Sequence, residues 1–179
     1  MSTTPEHLGG HAGLTHTDAG AMRFLKDRFC PVSVLDVGCG TGGMEGICLD
    51  LGLLWVGVDG DASCAKTNVV THDFTRGELP PLKTDLVWSV EFVEHVHPAY
   101  LQHTLEALTR GRMALCMSHA LPGKYGHHHV NCQPPEYWID ALRLWGFVLD
   151  AEGTEGVRAH SSMRREFMRQ TGLVFVPIP

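Results

Sequence analysis

Two stretches carry residue types that do chemistry. VLDVGCGTGG (Val34–Gly43) runs an apolar strand into a glycine-rich turn, with the carboxylate of Asp36 just ahead of the glycines. GHHHVN (Gly126–Asn131) sets three imidazoles side by side within the chain, which has 12 histidines in 179 residues. The first stretch contains a literal G-x-G-x-x-G at Gly38, Gly40 and Gly43, the spacing of a nucleotide-binding turn. Glycines there admit positive φ and let the backbone approach a ligand closely. The second stretch offers groups that take a proton near neutral pH or ligate a metal.

Asp36 bears on which nucleotide fits. A dinucleotide sets its pyrophosphate against such a turn, at the N-terminus of the following helix. A carboxylate two residues before the first glycine sits near that anion, and like charges ~5 Å apart cost on the order of 1–3 kcal/mol at intermediate dielectric. S-adenosylmethionine has no phosphate and carries an ammonium and a sulfonium, which Asp36 favours. NAD is disfavoured on the same ground. Two further acids fit this ligand. Asp59, in GVDGD, ends the second strand 21 residues after Gly38, where a carboxylate accepts from both ribose hydroxyls of either cofactor. Asp73, in THDF, ends the third strand, placed to accept from an adenine amino group with Phe74 against the ring. Each has a plainer reading: a structural tight turn for the glycines, a helix N-cap for Asp59, a strand-end polar residue for Asp73.

The elements that must position these residues alternate. Asp18–Phe29 reads as a helix stopped by Pro31. Strands are expected over Val32–Val37, Leu54–Val58, Val69–Thr71, Asp85–Val90, Arg112–Met117, Phe147–Ala151 and Leu173–Val176. Helices are expected over Met44–Leu51, Ala62–Thr67, Pro98–Thr109 and Pro134–Trp145, with a helical insert at Ser161–Thr171. Alternation of this kind means an α/β, Rossmann-like doubly wound sheet of seven strands, mainly parallel, in a single domain. Residues 1–12 read as a flexible lead and 13–179 as the domain. The loop Ser118–Gln133 is long enough to be functional.

The totals narrow the class. A net charge of −6 and the lack of a Lys/Arg-rich tract disfavour nucleic acid as a partner. Arg158, Arg164, Arg165 and Arg169 read as one solvated helix face. No apolar run is long enough to span a membrane, and the polar N-terminus lacks signal-peptide regions, so a cytoplasmic location is expected. The six cysteines form no C-x-x-C pair and read as reduced, buried thiols.

VLDVGCGTGG, GVDGD, THDF and DLVWSVEFVEHV together resemble the successive motifs of the class I S-adenosylmethionine-dependent methyltransferases, over roughly residues 13 to 176. The Glu91-x-x-Glu94-His95-Val96 exit from strand four supports the likeness. GLTHTDAGAM and GHHHVNCQPPEYW are similar to small methyltransferases of bacteria and tailed phages; a phage-encoded member would work in its host's cytoplasm. The resemblance implies cofactor contacts from Asp36, Gly38, Cys39, Gly40, Asp59, Gly60, Asp73, Phe74 and Ser89, with Thr15 and His16 near the methionine end. It implies S-adenosylhomocysteine as the product. With no inserted recognition domain, loops must build the acceptor pocket.

Methyl transfer from a sulfonium is an in-line displacement, so the protein chiefly aligns the acceptor and removes its proton. A small-molecule or sugar-like hydroxyl acceptor is expected, with a histidine base. The candidates are His127 and His129, which face one way in an extended loop, with Asn131 on the same side, and His95 after strand four. His95 also reads as a capping or core histidine. Metal readings compete. Adjacent His127–His129 with Cys132 are poorly placed to converge on one ion, and Glu91, Glu94 and Asn131 imitate an Mg²⁺ set; the expected site holds no metal. Two other functions stay open: a non-catalytic S-adenosylmethionine-binding domain, and methylation of a macromolecule. SVEF, where amino methylases of DNA carry N/D-P-P-Y/F, argues against DNA.

Overall fold

The computed structural model describes residues 5–11 and 13–179; Met1–Thr4 and residue 12, part of the expected lead, lie outside the described residues. Seven strands form one sheet in the order β3-β2-β1-β4-β5-β7-β6: β1 Ser33–Val37, β2 Leu54–Asp59, β3 Val69–Thr71, β4 Thr84–Ser89, β5 Gly111–Met117, β6 Phe147–Leu149 and β7 Leu173–Pro177. β1 to β5 pair in parallel, and β7 inserts antiparallel between β5 and β6. The expected doubly wound α/β sheet is therefore present. The chain turns back across the sheet between β1 and β4, so the carboxyl ends of those strands flank the crevice where such sheets bind ligands.

Among the described residues, six α-helices cover the sheet: α1 Ala19–Phe29, α2 Met44–Asp50, α3 Leu101–Leu108, α4 Pro135–Leu144, α5 Ala151–His160 and α6 Phe167–Thr171. Side chains of a buried strand alternate between faces. On β4, Leu86 and Trp88 enter the core with Met22, Leu25 and Met168, whereas Val87 enters the opposite core with Leu108, Trp138 and Phe175. Thus α1, α2, α5 and α6 pack on one face and α3 and α4 on the other.

The largest departure from expectation is α5. β6 ends at Leu149 rather than Ala151, and Asp150 becomes the N-cap of a helix that the sequence pattern did not indicate. AEGTEGVRAH carries two glycines, which lower helix propensity by ~1 kcal/mol each. Close packing on α1 offsets that cost. A Cβ on Gly156 would lie 2.5 Å from Phe24 Cε1, and a Cβ on Gly20 would strike the His160 carbonyl. Arg28 of α1 also donates two hydrogen bonds to Asp150, at 2.9 and 3.0 Å. Gly156→Val should therefore destabilise by about 1–3 kcal/mol, seen as a fall of several degrees in Tm. Gly46→Ala on α2, where a Cβ meets nothing within 4 Å, should match the parent or exceed it. Equal Tm values for both variants would refute the close-packing account.

Smaller corrections follow from local hydrogen bonding. The helix expected over Ala62–Thr67 is one 3-10 turn, Ala62–Cys64, capped by Asp61 rather than Asp59. The Pro98–Thr109 helix opens with a 3-10 turn, Pro98–Tyr100. The insert at Ser161–Thr171 is helical only over Phe167–Thr171. All six cysteines are free; Cys39, Cys48, Cys64 and Cys116 are buried, Cys132 is half-buried, and Cys30 is exposed in the left-handed cap of α1. No described helix is long and apolar enough to cross a membrane.

Candidate functional site

The carboxyl ends of β1, β2 and β4 open into a cleft of about 750 Å³. Asp36 is the last β1 residue but one and is buried. It accepts from Trp55 Nε1 at 3.2 Å. Burial pushes its pKa from 3.8 up to about 7; the Asp59 carboxylate adds to the rise, while Trp55 and Lys66 oppose it. Such a group gains from a cationic ligand.

Gly38 (φ 76°) and Gly40 (φ 52°) carry the turn in conformations that L side chains rarely adopt. Asp59, at the end of β2, accepts from Gly40 N at 2.8 Å and Asp61 N at 2.9 Å. The carboxylate is thereby tied to the turn it faces. Asp36, Gly38, Cys39, Gly40, Asp59 and Gly60 all line the cleft. So do Thr15, which bonds Cys39 O at 3.2 Å and Thr41 Oγ1 at 2.9 Å, and His16, whose ring meets Phe167 edge-on. Burial, with Arg165 nearby, lowers the His16 pKa.

Asp73 and Phe74 are placed differently. They line an adjoining pocket of about 410 Å³ with Tyr100 and His128. Residues 5–11 run between the two spaces. Leu8 covers Gly60, His7 Nε2 lies 3.2 Å from Asp73, and His11 Nε2 lies 3.2 Å from Asp61. Leu8 and His7 line both pockets, so this expected lead is part of the cleft wall. Ser89 is fully buried, its hydroxyl donating to Val37 O, and does not line the cleft.

The histidine loop folds onto the exit of β4. Val130 N and Asn131 N both donate to Glu94 O at 3.0 Å, and His95 Nδ1 lies 2.8 Å from His127 O. His127, His129 and His95 line the cleft. They do so around a turn at His128 (φ 46°) rather than along an extended strand. Asn131 is buried outside the cleft, with Oδ1 accepting from Gln133. Burial, with His129 beside it, lowers the His95 pKa to about 4, so its ring is neutral at pH 7.

Glu91 and Glu94, read from the sequence only as part of a competing Mg²⁺ set, and Arg164 and Arg165, read as a solvated helix face, were not placed at the expected cofactor or acceptor site. Glu91 lines the cleft, has φ 52° and accepts from Ser118 Oγ at 2.8 Å. Glu94 is 0% exposed, and among the described residues neither carboxyl oxygen has a hydrogen-bond partner of good geometry. Burial, reinforced by Glu91, raises its pKa well above the usual range; an unpartnered buried polar group costs about 1–3 kcal/mol. The signal available in the sequence was their place directly after β4. Arg164 and Arg165 lie in the α5–α6 connection and line the cleft, whereas Arg158 donates to Gly172 O and Arg169 to Glu166. The four are not one helix face.

A family model described as a methyltransferase domain matches residues 16–175. A search of the curated proteins returns no match. Among solved structures, a sugar N-methyltransferase from Streptoalloteichus is similar with a TM-score of 0.66 at 15% identity, over 90% of this chain and 87% of that one. The plantazolicin methyltransferase BpumL, bound to a substrate analogue and S-adenosylhomocysteine, gives 0.61 at 12%, over 90% and 83%. An O-methyltransferase of a Brevibacillus brevis polyketide synthase, also with S-adenosylhomocysteine, gives 0.61 at 13%, over 89% and 72%. The cofactor read from Asp36 and the strand-end acids is thus the one whose product two of these similar structures hold. The chain belongs to the methyltransferase domain family and has the class I, S-adenosylmethionine-dependent fold.

Proposed function

We propose that this protein transfers a methyl group from S-adenosylmethionine to a hydroxyl of a small-molecule or sugar-like acceptor seated at the histidine end of the cleft. One observation carries the reading: the Asp36–Gly40 turn with Asp59 and the imidazoles of His127 and His129 line the same cleft. Asp36 and Asp59 hold the cofactor's cationic and hydroxyl-bearing parts. When bound, the cofactor supplies an already activated methyl group.

The chain's own work is then alignment and proton removal. His127 Nε2 lies 2.7 Å from Glu6 O. Donating that N–H leaves Nδ1 with its lone pair, free to take the acceptor's proton. His129 stands on the same wall and is the second candidate. Similar structures include a sugar N-methyltransferase and an O-methyltransferase, which supports a small acceptor at this end.

Radiolabelled methyl transfer should be measured against a panel of sugars, phenols and hydroxylated natural products. His127→Ala should lower kcat about 10²–10⁴-fold on the accepted substrate and leave cofactor affinity unchanged. An unchanged kcat in both His127→Ala and His129→Ala would overturn the histidine base. Exclusive labelling of amines would overturn O-transfer.

A further inference from the structure

Glu94 is a buried carboxyl that the proposed methyl transfer does not use. It is fully buried beside the Glu91 carboxyl, and among the described residues neither of its carboxyl oxygens has a hydrogen-bond partner of good geometry. Buried carboxyls are paired or bind a metal. Two imidazoles face it. One ligand atom from each of Glu94, His95 and His129 lies within 4.8 Å of the other two.

Each imidazole has one ring nitrogen tied to the backbone. His95 Nδ1 lies 2.8 Å from the His127 carbonyl, and His129 Nδ1 lies 3.1 Å from the Lys124 carbonyl. Each Nδ1–H thus donates to backbone, which fixes the tautomer and leaves Nε2 with its lone pair. A metal-binding histidine almost always makes this outer bond. The rings meet edge-on, with centroids 5.0 Å apart. Gly126 leaves the room: a Cβ there would run into the His129 ring. The two backbone bonds to Glu94 O hold the loop in this register.

We infer that Glu94, His95 and His129 form a site for a divalent first-row transition-metal ion at the acceptor end of the cleft. This departs from the sequence reading, in which three adjacent histidines were poorly placed to converge on one ion. Here the ligands come from two segments, and only His129 of the three is used. A carboxylate with two imidazoles suits Zn²⁺, Mn²⁺, Fe²⁺ or Co²⁺ better than Mg²⁺, which favours an all-oxygen shell. Glu91, also on the cleft wall, is the nearest further carboxylate. His95 and His129 line the cleft, so an open coordination position faces it. An acceptor oxygen bound there would ionise more readily, leaving His127 to take the proton. That consequence rests on the proposed methyl transfer; the site does not.

The test is metal binding without cofactor or acceptor. Untagged protein, stripped with chelator, is titrated calorimetrically with Zn²⁺, Mn²⁺, Co²⁺ and Mg²⁺, and the Co²⁺ adduct is read by its visible absorption. One transition ion per chain is expected, with Mg²⁺ much weaker. Glu94→Gln and His129→Ala should each weaken binding beyond the about 10–100-fold that losing an outer partner costs. His128→Ala should bind as the parent does, because its ring lies by His7. Equal binding in all three variants would mean adventitious capture by surface imidazoles and would overturn the site. So would a parent chain that takes up no ion. Failure of methyl transfer alone would touch only the proposed function.

Discussion

Replacing Asp36 with asparagine should make the ligand-free protein more stable at pH 8 and, in the same variant, weaken S-adenosylmethionine. The carboxyl is 3% exposed, with a pKa near 7 against an ordinary 3.8. Between those values the folded chain holds a proton that the unfolded chain has released, so stability falls as pH rises through the window. Above pH 7 the penalty is complete, and a shift of about three units corresponds to about 4 kcal/mol. The substituted amide would be neutral at every pH, and its oxygen would still accept from Trp55. The gain should therefore be a few kcal/mol at pH 8 and vanish by about pH 4, read by urea unfolding across the series.

Binding runs the other way. A cation against Asp36 stabilises the carboxylate, so the cofactor displaces a proton. Parent affinity should rise with pH up to about 7 and then level. In Asp36→Asn that dependence should disappear, with a loss of about 1.5–3 kcal/mol, the worth of a hydrogen bond to a charged group. A variant that binds the cofactor as tightly as the parent at pH 8 would remove Asp36 from the site.

Gly38→Ala should abolish cofactor binding. Its φ of 76° lies in the left-handed region, and a Cβ would fall 2.7 Å from Phe92 Cβ. Left-handed strain costs roughly 1–2 kcal/mol, and displacing the wedged Phe92 a further 1–3 kcal/mol. Phe92 also packs on Phe74, ring centroids 5.6 Å apart, so the shift spreads along the cleft. Gly42→Ala is the control: φ is 74°, but the added carbon meets chiefly the end of the long Lys66 side chain, 2.6 Å away, which can swing aside at the cost of its ion pair with Glu45. Gly42→Ala should lose little beyond the backbone term. The parent should gain about 2.7 kcal/mol at a hundredfold excess of ligand over Kd. Gly38→Ala should gain nothing. A full cofactor response in Gly38→Ala, or equal destabilisation by both alanines, would refute the close-approach argument.

How much was legible differs by segment. β1, its turn and the acids at the ends of β2 and β3 were readable because a buried parallel strand is an uninterrupted apolar run and its exit is marked by Gly or Asp. α5 was not, because Gly153 and Gly156 serve contacts with partners far away in sequence. Residues 5–11 have no periodicity, and only docking on Gly60, Asp61 and Asp73 shows that they wall the cleft. Asn131 reads as polar and reactive in sequence, yet packing buries it.

The sequence by itself determined the sheet class, the left-handed glycine turn at the cleft and the carboxylate set just ahead of it. These follow from local periodicity, glycine stereochemistry and the sign of one carboxylate. Tertiary structure decided the rest. It buried Glu94, brought His95 to His129 across 34 positions of chain, and split the Asp73 pocket from the main cleft. Those outcomes depend on which surfaces exclude water from which groups, and burial is a property of the packed chain rather than of any segment.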